Sequence, residues 1–118
     1  MEIFYQVENR HFAGGFVYYD VLKIEAVSKK FRKLKGLDNT NMYLADANGR
    51  KYKGFFADFY TDEKLAWDCA RCRTEKSILC NERELWNTRS VIRYKQLKDA
   101  IARLEGHLLK IDDHIKNI

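Results

Sequence analysis

The chain has 118 residues, a net charge of +5 at pH 7 and no proline, and 33% of its residues are charged. This length suits a single domain, residues 1–118, with a modest core. No apolar run has membrane-spanning length and no signal peptide is recognisable, which excludes a membrane protein and predicts a cytoplasmic location.

Residues 1–60 predict an antiparallel sheet of three to four strands. Apolar and polar residues alternate over residues 3–7, as in a half-buried strand. A turn at residues 13–15 leads into a second strand, residues 15–27, which is rich in β-branched and aromatic side chains.

Asn48 and Gly49 predict a second hairpin in the same half of the chain. Asn-Gly is the strongest short signal for such a turn, because both of its positions need positive φ. The segments on either side, residues 42–47 and 50–56, are the two strands that this turn would connect.

Residues 61–118 predict the helical part of an α+β fold. Thr61 is a good N-cap residue, and the acidic residues that follow it suit the positive end of a helix dipole. The segment has no proline, so one near-continuous helix or two helices would fit. We favour two, with a break near Asn81 or near Asn87 and Thr88, because the apolar stripe changes register there.

The clearest pattern lies in residues 94–118, where apolar residues recur at alternating spacings of three and four. This is the a/d pattern of a coiled coil, in which every such side chain lies on one narrow seam. The seam needs a partner helix, either the preceding helix of the same chain or the same helix of another copy. We favour a homo-oligomer assembled through residues 94–118. The seam consists of Tyr94, Leu97, Ile101, Leu104, Leu108, Ile111, Ile115 and Ile118.

Cys69 and Cys72 form a CxxC motif, and Cys80 follows on the same predicted helix. A zinc site would need further ligands at compact spacing, and a redox motif would normally follow a strand at a helix N-terminus. The odd number of cysteines is typical of reduced thiols. We therefore interpret the three as small core residues and predict no bound metal.

His107 and His114 are seven residues apart and so share one face of the predicted helix. Counted along the heptads, both fall at the rim of the seam, where His107 would meet Asp112 of a parallel neighbour. A metal site has only this spacing in its favour, so we interpret both histidines as residues that tune helix pairing.

A basic segment places five cations among the seven residues 29–35. Lys30, Arg32 and Lys33 are its candidate contacts to the phosphates of an anionic ligand or a nucleic acid. The alternative is a strand edge whose lysines prevent edge-to-edge pairing. The net charge permits an anionic partner but does not require one.

Trp86, Arg89 and Arg93 stand at i, i+3 and i+7, so they would lie on one face of a continuing helix. Asn87 stands beside them. Arginine binds phosphate through a planar fork, and tryptophan offers a face on which a base can stack. These four residues are the predicted binding site for a nucleotide-like anion. The alternative is that Trp86 is a core residue and that the arginines pair at i+4 spacing with Glu82, Glu84 and their neighbours.

In general character the chain resembles small accessory proteins of bacteriophages and mobile elements. The resemblance lies in a short proline-free domain, an aromatic β-rich half, the segment Phe-Tyr-Thr-Asp-Glu-Lys at residues 59–64 before a helix, and a coiled tail. It implies a host-interaction or counter-defence protein that binds, blocks or sequesters a host factor or signalling molecule without catalysis.

No GxSxG, HExxH, P-loop or GxGxxG motif occurs, and nothing in the local sequence supports nucleophilic catalysis. We therefore expect a non-enzymatic, homo-oligomeric binding protein without a cofactor. Its expected ligand is a small phosphate-bearing molecule such as a nucleotide or cyclic nucleotide. The alternatives are a nucleic-acid-binding regulator and a protein-interaction module that inhibits a host protein.

Overall fold

The computed structural model describes residues 2–26, 44–46, 51–53 and 58–118 of the chain. These residues form an antiparallel sheet followed by two long helices, so the predicted α+β class is confirmed, as is the preference for two helices. The strands are β1 (Glu2–His11), β2 (Val17–Ala26), β3 (Leu44–Asp46), β4 (Lys51–Lys53) and β5 (Asp58–Tyr60). The helices are α1 (Glu63–Asn87) and α2 (Val91–Lys116).

The long hairpin of β1 and β2 is the largest part of the sheet. Ten residue pairs join the two strands, from the start of β1 to its end. The predicted turn between them is confirmed, because Gly14 and Gly15 have φ of 90° and 84°, which residues with a side chain rarely adopt. The Phe12 N–H donates to the Phe16 carbonyl at 2.8 Å and closes this turn.

The order of the strands in the sheet is β2-β1-β5-β4-β3, and the described pairings are antiparallel. β3 and β4 pair as the predicted hairpin requires, although its Asn48-Gly49 turn lies outside the described residues. The described residues contain five strands, where the sequence predicts three to four. The additional strand, β5, is only three residues long and lies just before Thr61, where the sequence pattern predicts none.

The first helix begins one residue later than predicted, because Asp62 and not Thr61 is its N-cap. The Asp62 carboxylate accepts a hydrogen bond from a backbone N–H in the first turn at 3.1 Å. The helix then runs without interruption past Asn81, so the alternative helix start there is wrong. It ends at Asn87, the second of the two predicted break points, and α2 begins after Ser90.

The core lies between the sheet and the two helices. Val7 from β1 and Tyr60 from β5 are buried on the sheet face that meets the helices. They belong to one apolar cluster with Trp67 from α1 and Ile111 from α2. Small residues on the buried stripe of α1 allow that helix to approach closely. They are Ala66, Ala70 and Thr74, each 0% exposed.

The strand β2 lies at the edge of the sheet, and side chains from both helices cover its outer side. Outward-facing backbone groups of an edge strand need partners, or they offer a template for pairing with another chain. Ser77 Oγ donates to the Val17 carbonyl at 2.7 Å. The Tyr19 N–H donates to Thr74 Oγ1 at 3.4 Å. His107 Nε2 lies 2.6 Å from the Tyr19 carbonyl and donates to it, since a carbonyl can only accept.

The centre of the predicted seam is buried inside the same chain. Leu97, Leu104 and Ile111 are spaced seven residues apart and are each 0% exposed, and α1 packs against α2. The seam of α2 therefore packs on α1 of the same chain, which is the first of the two partners that the sequence allows. These three positions cannot also form an interchain coiled coil without opening the hairpin. The two ends of the seam, Tyr94 and Ile118, are exposed.

Leu104→Ala should lower the free energy of unfolding by about 2–5 kcal/mol, because it removes a fully buried side chain and leaves a cavity. Leu109→Ala is the matched control on the same helix, at a side chain that is 70% exposed. The control should change stability by under about 0.5 kcal/mol. Urea unfolding at low protein concentration measures both. Equal effects of the two variants would contradict burial of the seam within the chain.

Candidate functional site

The turn between the helices brings together the residues that the sequence predicts as ligand-binding, but not on one helix face. Trp86 and Asn87 end α1, Arg89 lies in the link, and Arg93 lies in the first turn of α2. The premise of a shared helix face is therefore wrong. The helix breaks because the Ser90 hydroxyl accepts from the Arg93 N–H at 3.2 Å and starts a new helix.

The Trp86 side chain is 85% exposed, the highest value among the large apolar residues that the structure describes. The alternative interpretation of Trp86 as a core residue is therefore wrong. Asn87 is also exposed, but its Nδ2 donates to the Arg83 carbonyl at 2.8 Å in the last turn of α1. Arg89 is exposed and forms no ion pair within the described part of the chain.

The guanidinium of Arg93 is already occupied. It donates to both carboxylate oxygens of Glu84, with Nη2 2.9 Å from Oε1, in the forked geometry that a phosphate would otherwise use. Its Cζ also lies 5.0 Å from the centroid of the Phe16 ring. The hydrogen bonds between the two groups lower the pKa of Glu84 and raise the pKa of Arg93. Arg93 thus pairs with a glutamate, but the pair spans the turn over nine residues and does not have the predicted i+4 spacing, and a ligand would have to displace Glu84.

Three large apolar side chains are exposed around the turn. Trp86, Val91 and Ile92 are 85%, 69% and 74% exposed, and we call these three side chains the turn patch. Beside it lies an open groove of about 460 Å³ between the two helices. Both apolar and charged side chains line the groove: Glu82, Leu85, Trp86, Lys98, Ile101, Ala102 and Glu105. This combination is typical of a surface that binds another protein.

The cysteines do not form a buried group. Cys69 is partly buried, whereas Cys72 and Cys80 are exposed, and all three thiols are free. The interpretation as core residues is therefore wrong for Cys72 and Cys80, because only one stripe of an amphipathic helix faces the core. Within residues 2–26, 44–46, 51–53 and 58–118, no group of three or more histidine, cysteine, aspartate or glutamate side chains is placed to hold a metal ion.

The two histidines of α2 have partners within their own chain. His107 bonds to the edge strand, and the His114 ring stacks on the Trp67 ring with centroids 4.4 Å apart. Asp112 accepts a hydrogen bond from Arg71 Nε at 2.5 Å. It therefore has a cationic partner in its own chain, whereas the heptad pattern predicts a contact with His107 of a neighbouring copy. The histidines therefore serve first to position α2 on the rest of the fold.

Neither the basic segment nor comparison with known proteins adds a ligand to this surface. Lys30, Arg32 and Lys33 lie outside the described residues, so their contact with phosphates stays a prediction. Within the described ranges, neither helix is long and apolar enough to cross a membrane. Comparison finds no matching family model, no similar curated protein and no similar solved structure. The resemblance to phage accessory proteins also stays a prediction.

Ser90→Ala should lower the free energy of unfolding by about 0.5–2 kcal/mol, because it removes the oxygen that caps α2. Ser90→Asp keeps an acceptor and adds a negative charge at the positive end of the helix, so it should retain most of the stability. Urea unfolding of the three proteins measures the difference. An alanine variant as stable as wild type would show that this cap does not define the turn.

Proposed function

We propose that the protein is a homo-oligomeric binding protein without catalytic activity, and that it makes its contacts at the turn end of the helical hairpin. The 85% exposure of Trp86 carries this proposal. Val91 and Ile92 lie just across the turn and are nearly as exposed. Single exposed apolar residues are normal, but a tryptophan with such neighbours beside a groove is typical of a protein-binding surface.

A second copy of the chain is the partner that this surface suits best. A twofold interface uses the same patch on both subunits, so the patch must be complementary to itself. Trp86 offers a large side chain, and Ile101 and Ala102 give the groove an apolar lining that such a side chain can enter. The groove also has both charge signs, which allows Lys98 of one copy to face Glu105 of the other.

This proposal keeps part of the assembly surface within residues 94–118 but assigns it to a different helix face. Leu97 and Leu104 belong to the buried face, which holds the hairpin together. Lys98 and Ile101 belong to the face that lines the groove. The interface also extends to α1 through Trp86, which the heptad pattern does not include.

The proposal assigns no reaction to the turn, where both hydroxyl groups accept hydrogen bonds from backbone N–H groups. Thr88 Oγ1 accepts from the Ser90 N–H at 3.3 Å, and Ser90 Oγ accepts from the Arg93 N–H. The Glu84 carboxylate is held by Arg93. Apolar area, one aromatic ring and charges remain for contact with a partner, and these are the means of binding rather than of catalysis.

Trp86→Glu should abolish self-association, because it would place a charge in the centre of the proposed interface. Since the side chain is exposed, the variant should keep its fold, which circular dichroism checks. Ile118→Glu is the matched control at the far end of α2, where the side chain is 55% exposed, and it should leave the oligomer intact. Sedimentation velocity measures all three proteins. Dissociation by the Ile118 variant alone would move the interface to the end of the seam.

Acrylamide quenching supplies a second readout, because the two tryptophans differ. Trp67 is 7% exposed and should stay protected, whereas Trp86 should become accessible as the protein is diluted. A wild type that is monomeric at high micromolar concentration would contradict self-association. The turn patch would then bind a different protein, as in the predicted module that inhibits a host protein.

The exposed free thiols Cys72 and Cys80 support a location in a reducing compartment. The proposed location of the protein and of its partner is therefore the cytoplasm.

A small phosphate-bearing ligand at the turn, such as a nucleotide or cyclic nucleotide, is the second candidate function. It is favoured by Arg89, whose exposed guanidinium has no ion-pair partner among the described residues, and by the open face of Trp86. Arg93 does not favour it, because Glu84 occupies its fork. Without Arg93, the predicted site consists of Trp86, Asn87 and Arg89.

Arg89→Ala should weaken nucleotide binding at the turn by at least about tenfold, since a charge-assisted arginine–phosphate contact is worth roughly 1.5–3 kcal/mol. Arg83→Ala is the matched control, an exposed arginine of α1 that is also without an ion pair in the described residues. Calorimetric titration with a panel of linear and cyclic nucleotides measures both. Equal affinities of the two variants for a nucleotide that wild type binds would place the ligand elsewhere.

A further inference from the structure

A second concave site lies towards the other end of α2 from the turn. It is a cleft of about 250 Å³ between the edge strand β2 and the last turns of α2, and we call it the edge cleft. It shares no lining residue with the groove beside the turn patch. The polar side chains that line it are Tyr18, Asp20, His107, Lys110 and His114.

Ring contacts hold both histidines of the edge cleft in place. His107 packs edge-on against Tyr18, with centroids 4.7 Å apart and planes at 71°, while its Nε2–H bonds to the Tyr19 carbonyl. His114 stacks on Trp67 with an interplanar angle of 7°. Side chains that are already fixed lose little conformational entropy when a ligand binds, so this arrangement favours a bound state.

The edge cleft is lined by one ammonium and one carboxylate, and only the carboxylate has an ion-pair partner in the described residues. Lys110 is exposed and has no carboxylate within ion-pair distance among the described residues. Asp20 is a carboxylate of the lining, but it already accepts from the Val21 N–H at 2.9 Å and lies 3.5 Å from Arg10 Nη1. Lys110 is therefore the charged side chain of this lining that has no ion-pair partner in the described residues, and an unpaired ammonium attracts an anion.

We propose that the edge cleft binds a phosphate group, either free or as part of a small phosphate ester. Lys110 supplies the opposite charge, and the imidazole of His114 supplies a hydrogen bond, while the N–H of His107 stays bonded to the Tyr19 carbonyl. This inference rests on the second candidate function, in which the protein binds a small phosphate-bearing ligand. It proposes a different binding site for that ligand, away from the turn. It does not depend on self-association.

The chain has three histidines, which makes NMR of their ring protons a direct test. Phosphate is added to the full chain at a fixed pH. His107 and His114 should shift along one saturable curve. His11, at the exposed end of β1, is the internal reference and should not follow that curve. Absent shifts, or shifts shared equally by His11, would overturn the proposal.

Lys110→Gln should weaken phosphate binding by at least about fivefold, while Lys95→Gln, the same charge change at another exposed position of α2, should leave it unchanged. Equal losses of phosphate affinity in the two variants would overturn the proposal. So would histidine shifts that disappear in Arg89→Ala but persist in Lys110→Gln. Sedimentation of the same samples separates the two proposals. An oligomer that binds no phosphate refutes the edge cleft alone, and a monomer that binds phosphate there refutes self-association alone.

Discussion

Closure of the outer edge of β2 is the constraint on which the arrangement of both helices depends. Side chains from α1 and α2 bond to the backbone of Val17 and Tyr19 in place of a further strand. These bonds determine how far along the strand each helix lies. Because His107 is held on this edge, the following turns of α2 carry Lys110 and His114 past the same strand. The edge cleft therefore follows from contacts that the fold already needs.

Elements that depend on local chemistry could be predicted from the sequence. Gly14 and Gly15 supply the positive φ of the first turn, and the heptad spacing correctly marks Leu97 and Leu104 as buried. The same spacing cannot identify the partner of the seam, because a helix of the same chain and a second copy offer the same kind of apolar face. The choice depends on where the hairpin turns. Here the chain itself supplies the partner.

The candidate site is harder to predict, because the helical periodicity does not continue through it. Trp86 and Arg93 would share a face only if α1 ran on through the link. Thr88 and Ser90 are both capping residue types, and this is the sequence signal that indicates the break. The pairing of Arg93 with Glu84, nine residues away, depends on the angle of the turn and has no signature in local spacing. The position of His107 against β2 is a tertiary contact of the same kind.

The turn patch and the edge cleft are separated along one helix, and this separation makes their roles independent. Ile92 in the turn patch and Lys110 in the cleft are eighteen residues apart on α2, which is about 27 Å along an α-helix. This exceeds the Debye length of about 8 Å at physiological ionic strength, so a bound anion changes the field at the turn very little. Substitutions at the two sites should therefore act additively. Coupling would require α2 to shift along β2, and the hydrogen bond between His107 and Tyr19 opposes that shift.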